Sequence, residues 1–258
     1  MNDRMIFLIL FVALTACGID GESGNTGELK ILVATASNTQ YVMREVIVDF
    51  EKKEGVKVEL VVASSGKLAS QIENGAPFHI FLSANMKFPD YLHGKGFAAK
   101  PPQVYALGSL VLWTNTNADL SEGVQVLRNK AIKKIAIAND KNAPYGVATR
   151  QVLENIGMLN EIHSKLVYGE SISQVNHFVK TKLVDVGFTS KSVVLSRMKG
   201  TGTWADIAPS LYDAIEQGVV ITKRGEKEHL EICERFLEHL MSPGTQQVFV
   251  KYGYLARD

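Results

Sequence analysis

The segment ASSGKLASQI, residues 63–72, carries residue types that could do chemistry. Ser64 and Lys67 have the S-x-x-K spacing that places a lysine one helical turn from the nucleophilic serine of some acyl enzymes. The same serines, followed by Gly66, could cap the N-terminus of a helix. They could also receive an anion, because the first turn of a helix presents unpaired backbone N–H groups. These three interpretations lead to three different classes of protein.

The acyl-enzyme hypothesis, with Ser64 or Ser65 as nucleophile and Lys67 beside it, requires further motifs. The chain contains no S-D-N tripeptide, and the nearest approach to K-T-G is KGTGT from Lys199, in which the order differs. The six histidines form no H-E-x-x-H or H-x-H pattern, and no cysteine pair accompanies them. We therefore predict a protein that is not an enzyme, binds no cofactor and has no direct metal-cation site. A serine acyl enzyme is the alternative from another class.

Four joints between a predicted strand and a predicted helix have Ser, Asn, Gly or Pro in the first helical turn. They are TASNTQ with Ser37, ASSGK with Ser65, NAPYG with Tyr145 and GESIS with Ile172. A helix start carries a partial positive charge and free N–H groups, so four such starts facing one cleft would bind an oxyanion without Lys or Arg. The hydroxyls of Ser37 and Ser65 would add donors that rotate toward the ligand. The alternative is that each small polar residue only caps its own helix.

Composition and charge limit the possible partners. The 258 residues are 46% hydrophobic with a net charge of +1, which is typical of a globular chain of one large or two ordinary domains. Because a chain without basic excess does not neutralise phosphates, we expect no nucleic-acid partner. Any anion bound here must be held by local dipoles and hydrogen bonds.

The elements that must position the joints alternate between strand and helix from Leu29 onward, which predicts parallel βαβ units. Two long β-rich runs, YALGSLVLWTN and DAIEQGVVITK, are predicted to cross between two α/β halves. We predict a first lobe of residues 29–107 and 218–258 and a second lobe of residues 108–217. The cleft between them would be the ligand site, because pockets favour domain interfaces and the carboxyl ends of parallel strands.

The N-terminal residues are predicted to lie outside the fold. The run MIFLILFVALTA has about a dozen apolar residues, fewer than the ~20 that a membrane span needs. It leads to the tetrapeptide LTAC, which resembles the lipobox of bacterial lipoproteins. The resemblance implies that residues 1–16 are a signal peptide, that Cys17 carries a lipid and that residues 17–28 form a flexible tether. The alternative to a lipoprotein signal is an ordinary secretory signal with a chance cysteine. If Cys17 carries a lipid, Cys233 has no partner for a disulfide, and it is expected to be a small core residue.

Five segments carry a family resemblance in one consistent order. They are ATASNTQ, VVASSGKLASQIENGAPFHIFLSAN, IAIANDKNAPYGVATRQVLENIG, LVYGESISQVNHFV and MSPGTQQVFVKYGY. From about Leu29 to the C-terminus the chain resembles the periplasmic molybdate-binding proteins of ABC transporters. The most specific part is SSGKL followed by QIxxGAP and FLSA.

The resemblance implies an α/β, two-domain periplasmic-binding fold of type II. Each lobe would be a mostly parallel sheet flanked by helices, with two strands crossing the hinge. Molybdate or tungstate would lie in the cleft as ligand. Ser37 and Ser65 would donate hydroxyl and backbone N–H groups from the first lobe, and Tyr145 and Ile172 would donate backbone N–H groups from the second.

Ser190 is the fifth candidate and marks a departure from the family. Many members place a tyrosine, whose hydroxyl reaches the anion, in the segment that corresponds to VGFTSKS. This chain has Ser190 or Thr189 there. Because a shorter hydroxyl reaches less far, this contact could pass through water, be lost or be replaced, and the anion preference could shift.

The resemblance also implies the protein's partners and location. The protein would be an extracytoplasmic monomer, held at a membrane by the lipid on Cys17, that delivers its anion to an ABC permease and its ATPase. Binding would proceed by closure of the two lobes about the hinge. The same fold binding sulfate or phosphate is the alternative.

Overall fold

The computed structural model describes residues 29–196 and 202–255. The predicted signal peptide, tether and lipidation site at Cys17 lie outside the described residues. No helix in the described ranges is both long enough and apolar enough to span a membrane.

The described residues form ten strands and nine α-helices, with three short 3-10 segments. The strands are β1 (Lys30–Ala36), β2 (Lys57–Ala63), β3 (Ile80–Ser83), β4 (Gln103–Gly108), β5 (Leu110–Thr114), β6 (Ile135–Ala138), β7 (Leu166–Gly169), β8 (Val186–Ser190), β9 (Thr203–Asp206) and β10 (Ile215–Ile221). The helices are α1 (Gln40–Glu54), α2 (Ser65–Glu73), α3 (Lys87–Gly94), α4 (Pro144–Asn155), α5 (Leu159–Ile162), α6 (Ile172–Lys180), α7 (Lys191–Leu195), α8 (Lys223–Met241) and α9 (Pro243–Lys251). The predicted alternation of strands and helices is thus present throughout both halves.

The strands form two five-stranded sheets with the same pattern. The first has the order β2-β1-β3-β10-β4 and the second has the order β7-β6-β8-β5-β9. In the first sheet β10 runs antiparallel to both of its neighbours, and in the second sheet β5 does the same. Each sheet is therefore mixed, with four strands in one direction and one reversed.

The chain passes between the sheets twice. The run YALGSLVLWTN divides at Ser109 into β4 of the first sheet and β5 of the second. The run DAIEQGVVITK does not cross as one strand, because β10 pairs with β3 and β4 along its length. The return lies in residues 207–214. Since Ile215 pairs with Gly108, the first sheet includes four residues that the predicted bounds assigned to the second lobe, namely Gly108 and residues 215–217.

The core of the first lobe lies on both faces of its sheet. Ile31 and Val33 of β1 pack with α1, α8 and α9 on one face, whereas Ala34 packs with α2 and α3 on the other. Such a strand needs a nearly continuous apolar sequence, which KILVATA supplies. Cys233 is fully buried in this core, as expected, and burial raises the pKa of its thiol to about 12.

Candidate functional site

A small cavity lies where the two lobes meet. It encloses about 200 Å³ of atom-free space, part of which is open to solvent. Its lining residues lie at the carboxyl ends of β1, β2 and β3 and at the starts of α4 and α6. They are Ala36, Ser37, Asn38, Ser64, Ser65, Ala84, Ala143, Pro144, Tyr145 and Ile172. None of these ten lining residues carries a charged side chain.

The cavity brings together four of the five residues that the sequence singled out: Ser37, Ser65, Tyr145 and Ile172. The first two come from one lobe and the last two from the other. They converge because parallel strands end at one edge of each sheet, and residues at the two edges line one cavity.

The hydroxyl of Ser65 is fixed in a donor role. Ser65 is the first residue of α2 and is fully buried. Its Oγ accepts a hydrogen bond of 2.9 Å from the backbone N–H of Ala84. Because a hydroxyl has a single hydrogen, that hydrogen stays available to donate to a ligand oxygen. The N–H of Ser65 lies in the first turn, where its own helix offers no carbonyl to accept it.

Ser37 differs from the expectation in one respect. Its backbone N–H and its Oγ both donate to the carbonyl of Ala63, each at 3.0 Å. The backbone bond extends the parallel pairing of β1 and β2 by one residue, so this N–H is not available to an anion. The hydroxyl can rotate toward the cavity, because the Ala63 carbonyl keeps the backbone donor.

The helix starts at the cavity are mostly uncapped. Ser64 and Ala143 precede α2 and α4, and neither makes a side-chain hydrogen bond to its helix. Of the helix starts at α2, α4 and α6, only α6 is capped by a side chain: Ser171 Oγ accepts a hydrogen bond from the backbone N–H of Gln174. The hypothesis that the serine pair merely caps α2 is therefore wrong, and the backbone N–H groups of Ser65 in α2 and Tyr145 in α4 remain for other acceptors.

Tyr145 lines the cavity, and its phenol lies against Gly108 at the hinge. It is the second residue of α4, after Pro144. The ring is buried, and a Cβ on Gly108 would collide with the phenol oxygen. This oxygen makes no hydrogen bond of good geometry among the described residues, although the Asn38 side chain lies near it, and burial holds the pKa of the phenol well above its ordinary value. The hydroxyl therefore stays neutral.

Comparisons with known proteins identify the family. The family model of bacterial extracellular solute-binding proteins matches residues 31–255. The molybdate-binding protein ModA of Azotobacter vinelandii is 36% identical over 228 residues, which are 87% of this chain and 89% of that protein. The chain belongs to the bacterial extracellular solute-binding protein family.

Two further comparisons also cover most of this chain. The solved structure of the Azotobacter vinelandii periplasmic molybdate-binding protein superposes with a TM-score of 0.83 at 30% identity, covering 88% of this chain and all of that one. YvgL of Bacillus subtilis, whose name contains the words ABC transporter substrate-binding lipoprotein, is 26% identical over 254 residues, or 96% of this chain and 95% of that protein. The two-lobe α/β fold expected from the sequence is therefore confirmed.

Within this solute-binding fold, Ser190 lies outside the cavity lining. It is the last residue of β8 and is fully buried. Its Oγ lies 2.8 Å from Ser192 Oγ, and Ser192 Oγ donates to the carbonyl of Asn38 at 2.6 Å. Thr189 Oγ1 donates instead to Asn176 Oδ1 at 2.6 Å. With a short side chain at position 190, the hydroxyl reaches a neighbouring serine and not the cavity.

Sequence reasoning missed a polar network that holds the cavity-lining residue Asn38 in place. Asn38 Nδ2 donates to Gln217 Oε1 at 2.8 Å and to Tyr254 Oη at 3.0 Å. Tyr254 Oη also lies 3.3 Å from Ser192 Oγ. Asn38 stands beside Ser37 in TASNTQ and was open to prediction, whereas its partners are far away along the chain.

The acyl-enzyme alternative lacks its base in this solute-binding protein. Lys67 is exposed and is not among the cavity lining, although Ser64 is. The S-x-x-K chemistry requires a lysine amine that accepts the proton of the serine hydroxyl, and a solvent-exposed Lys67 outside the cavity does not fit that role.

One cluster of metal-type ligands in the described residues does not line the cavity. Atoms of His79, Glu228 and His229 lie within 4.8 Å of one another. His79 Nδ1 accepts from the N–H of Leu32 at 2.8 Å, so the proton of the neutral ring is on Nε2, which faces Glu228 Oε2 at 3.1 Å. Since a metal would need the lone pair of one of these nitrogens, His79 is a structural residue here.

Proposed function

We propose that this solute-binding protein captures molybdate or tungstate in the cavity between its lobes and delivers it to an ABC importer. The observation that carries the proposal is a cavity without charged side chains, lined by helix starts from both lobes and by the donor hydroxyl of Ser65. The name of the Azotobacter vinelandii relative supports molybdate as the ligand.

The available hydrogen bonds account for useful affinity. A hydrogen bond to a charged group contributes roughly 1.5–3 kcal/mol. One bond from each of the four predicted positions gives about 6–12 kcal/mol, and micromolar binding requires about 8 kcal/mol. Neutral dipoles thus suffice to hold a dianion that has left its water shell.

Ligand selection would follow from the same donors. A fully ionised tetrahedral oxyanion accepts hydrogen bonds at every oxygen, whereas a protonated phosphate needs an acceptor for its own hydrogen. The size of the closed cavity would separate molybdate and tungstate from the smaller sulfate. Binding catalyses no reaction and instead shifts the population toward the closed form, which the permease and its ATPase would receive.

We also propose that the protein is an extracytoplasmic monomer anchored by a lipid on Cys17. The LTAC sequence supports this, as does the lipoprotein wording in the name of YvgL, to which the chain is similar almost from end to end. Metabolic labelling with a radioactive fatty acid should mark the wild type and leave Cys17→Ser unlabelled; equal labelling of the two would contradict the anchor.

A thermal melt of the soluble form, starting at Glu28, tests the ligand. At about 1,000 times Kd a ligand adds about 4 kcal/mol, which at this size raises Tm by on the order of 8–16 °C. We expect this rise with molybdate and tungstate and little change with sulfate or phosphate. A rise with sulfate alone would assign the cavity to sulfate, and no rise with any oxyanion would exclude an oxyanion receptor.

A further inference from the structure

The first turn of α2 makes a direct bond to the opposite lobe. The backbone N–H of Gly66 donates to the carbonyl of Asn142 at 2.9 Å. Gly66 is the second residue of α2, where the helix has no carbonyl of its own to offer. The donors of this helix start are thus divided, with Ser65 at the cavity and Gly66 at the other lobe.

A side chain at position 66 would force its neighbours to move apart by a few tenths of an ångström. A Cβ there would lie 3.0 Å from Asn142 Cα, 3.1 Å from Asn142 O and 3.0 Å from the tip of the Phe88 ring. Favourable contacts between carbon atoms lie at about 3.5–4.0 Å. Asn142 presents backbone atoms, which cannot rotate aside as a side chain can.

The backbone conformation of α2 does not require a glycine at position 66. Gly66 is not in the left-handed region of backbone conformation that favours glycine. Inside a helix, glycine costs about 0.5–1 kcal/mol relative to alanine. The residue therefore fits the close approach of the two lobes and not the needs of α2.

Other contacts between the lobes differ in kind. Gln40 Nε2 donates to Ser173 Oγ at 3.1 Å, and Ser192 Oγ donates to the carbonyl of Asn38. Both use side chains that can adjust to a changed separation. The Gly66 bond joins backbone to backbone, and neither of its partners lines the cavity.

We propose that Gly66 is a positioning residue whose bond to Asn142 sets how closely the lobes approach and how long they stay closed. The inference rests on the proposed function, because it concerns closure around the captured anion. A bond made only in the closed form raises the population of that form without touching the ligand. Its loss should therefore act on dissociation of the anion.

The chain offers a matched control for a Gly66→Ala variant. Gly244 is also the second residue of its helix, α9, after Ser242 and Pro243, and a Cβ there would meet nothing within 4 Å. Molybdate affinity, the two rate constants of binding and the melting temperature without ligand would be measured for wild type, G66A and G244A. Both variants should keep or raise the ligand-free Tm, because alanine favours the helix.

G66A alone should weaken molybdate binding, by roughly 10-fold, through faster dissociation at an unchanged association rate. If wild type and G66A bind with equal affinity and equal dissociation rates, the positioning role is refuted while the proposed function stands. If the wild type binds no molybdate, tungstate or other oxyanion, the proposed function itself has failed.

Phe88 provides the check on a purely local effect. It belongs to α3 of the same lobe as Gly66, so a clash with its ring would disturb that lobe in the open form too. A lower ligand-free Tm for G66A, with affinity restored in G66A/F88A, would assign the effect to local packing and overturn the proposal. We expect G66A/F88A to remain as weak as G66A.

Hydrogen exchange on the unmutated chain gives an independent test. The amide hydrogen of Gly66 should exchange more slowly with molybdate bound, because closure then holds it against the Asn142 carbonyl. The amide of Gly244 should exchange equally with and without the anion. Equal exchange of Gly66 in the two conditions would contradict the role in closure.

Discussion

The two lobes build sheets of the same order but face the cavity with different chemistry. The first lobe presents side chains, with the hydroxyls of Ser37 and Ser65 beside the start of α2. The second lobe contributes Tyr145 of α4 and Ile172 of α6, whose proposed donors are backbone N–H groups, while the phenol of Tyr145 lies against Gly108 at the hinge. Residue identity should therefore matter for binding in the first lobe, whereas in the second lobe only the N–H group should matter.

The largest effect is expected from removing a backbone donor of the second lobe. Ile172 is the first residue of α6, a position where proline is tolerated because its missing N–H is not needed by the helix. Ile172→Pro should weaken molybdate binding roughly 10- to 150-fold, the equivalent of one hydrogen bond to a charged group. Titration calorimetry measures the change.

Ile172→Val is the control, because it keeps the N–H and removes one methyl group. It should bind as the wild type does. If I172V were as weak as I172P, the side chain and not the backbone would be the important group, and the contrast between the lobes would disappear.

In the first lobe, Ser65→Ala should weaken binding roughly 10- to 100-fold. The change removes the hydroxyl that we propose as a donor to the anion, and it leaves the N–H of Ala84 without its acceptor. Affinity and the ligand-free Tm should be measured together. Wild-type affinity in S65A would show that the hydroxyl does not contact the anion, however much the Tm falls.

Tyr145→Phe should leave binding unchanged and raise stability slightly. The phenol oxygen is buried without a hydrogen bond of good geometry among the described residues, and an unsatisfied polar group costs roughly 1–3 kcal/mol. Removing it should raise the ligand-free Tm by about 2–4 °C or more. A lower Tm, or a marked loss of molybdate affinity, would mean that the hydroxyl has a partner in solution.

The smallest expected effect is the change in folding stability with pH that His79 of the first lobe produces. Burial lowers the pKa of His79, against the raising effect of its hydrogen bond to Glu228, while His229 and Arg224 lower it further. The unfolded chain therefore binds this proton more readily than the folded chain, so stability should fall as pH drops below about 6.5. Melts from pH 8 to pH 5 would measure this.

His239 contributes in the same direction, because burial lowers its pKa as well. His79→Gln should reduce the acid destabilisation without abolishing it. An unchanged pH profile in H79Q would show that His79 keeps an ordinary pKa in the folded protein.

Sequence reasoning can predict a site residue when a short stretch of sequence reveals it, and cannot when its partners are far away along the chain. Ser37, Ser65, Tyr145 and Ile172 each stand at a joint that a short window of sequence reveals, and parallel strands bring such joints to one edge. Ser190 also stands at the end of a strand, but the reach of its side chain decides its partner, and that partner is Ser192.

The supporting network was beyond sequence reasoning for a different reason. Asn38 bonds to Gln217 and Tyr254 across 179 and 216 positions of the chain. No local pattern links residues so far apart, because only the return of the chain to the first sheet brings them together. The division of YALGSLVLWTN into two strands likewise depends on which sheet each half joins.

The reversed strand of each sheet has a consequence for folding. β5 follows β4 directly from the first lobe, and β10 is the first strand after the return from the second. Both take an inner position, so β10 fills the place between β3 and β4. A fragment that ended before Ser109 would leave β4 with no neighbour, exposing its backbone to aggregation. During synthesis, the first lobe therefore cannot complete its sheet and core until β10 has been translated.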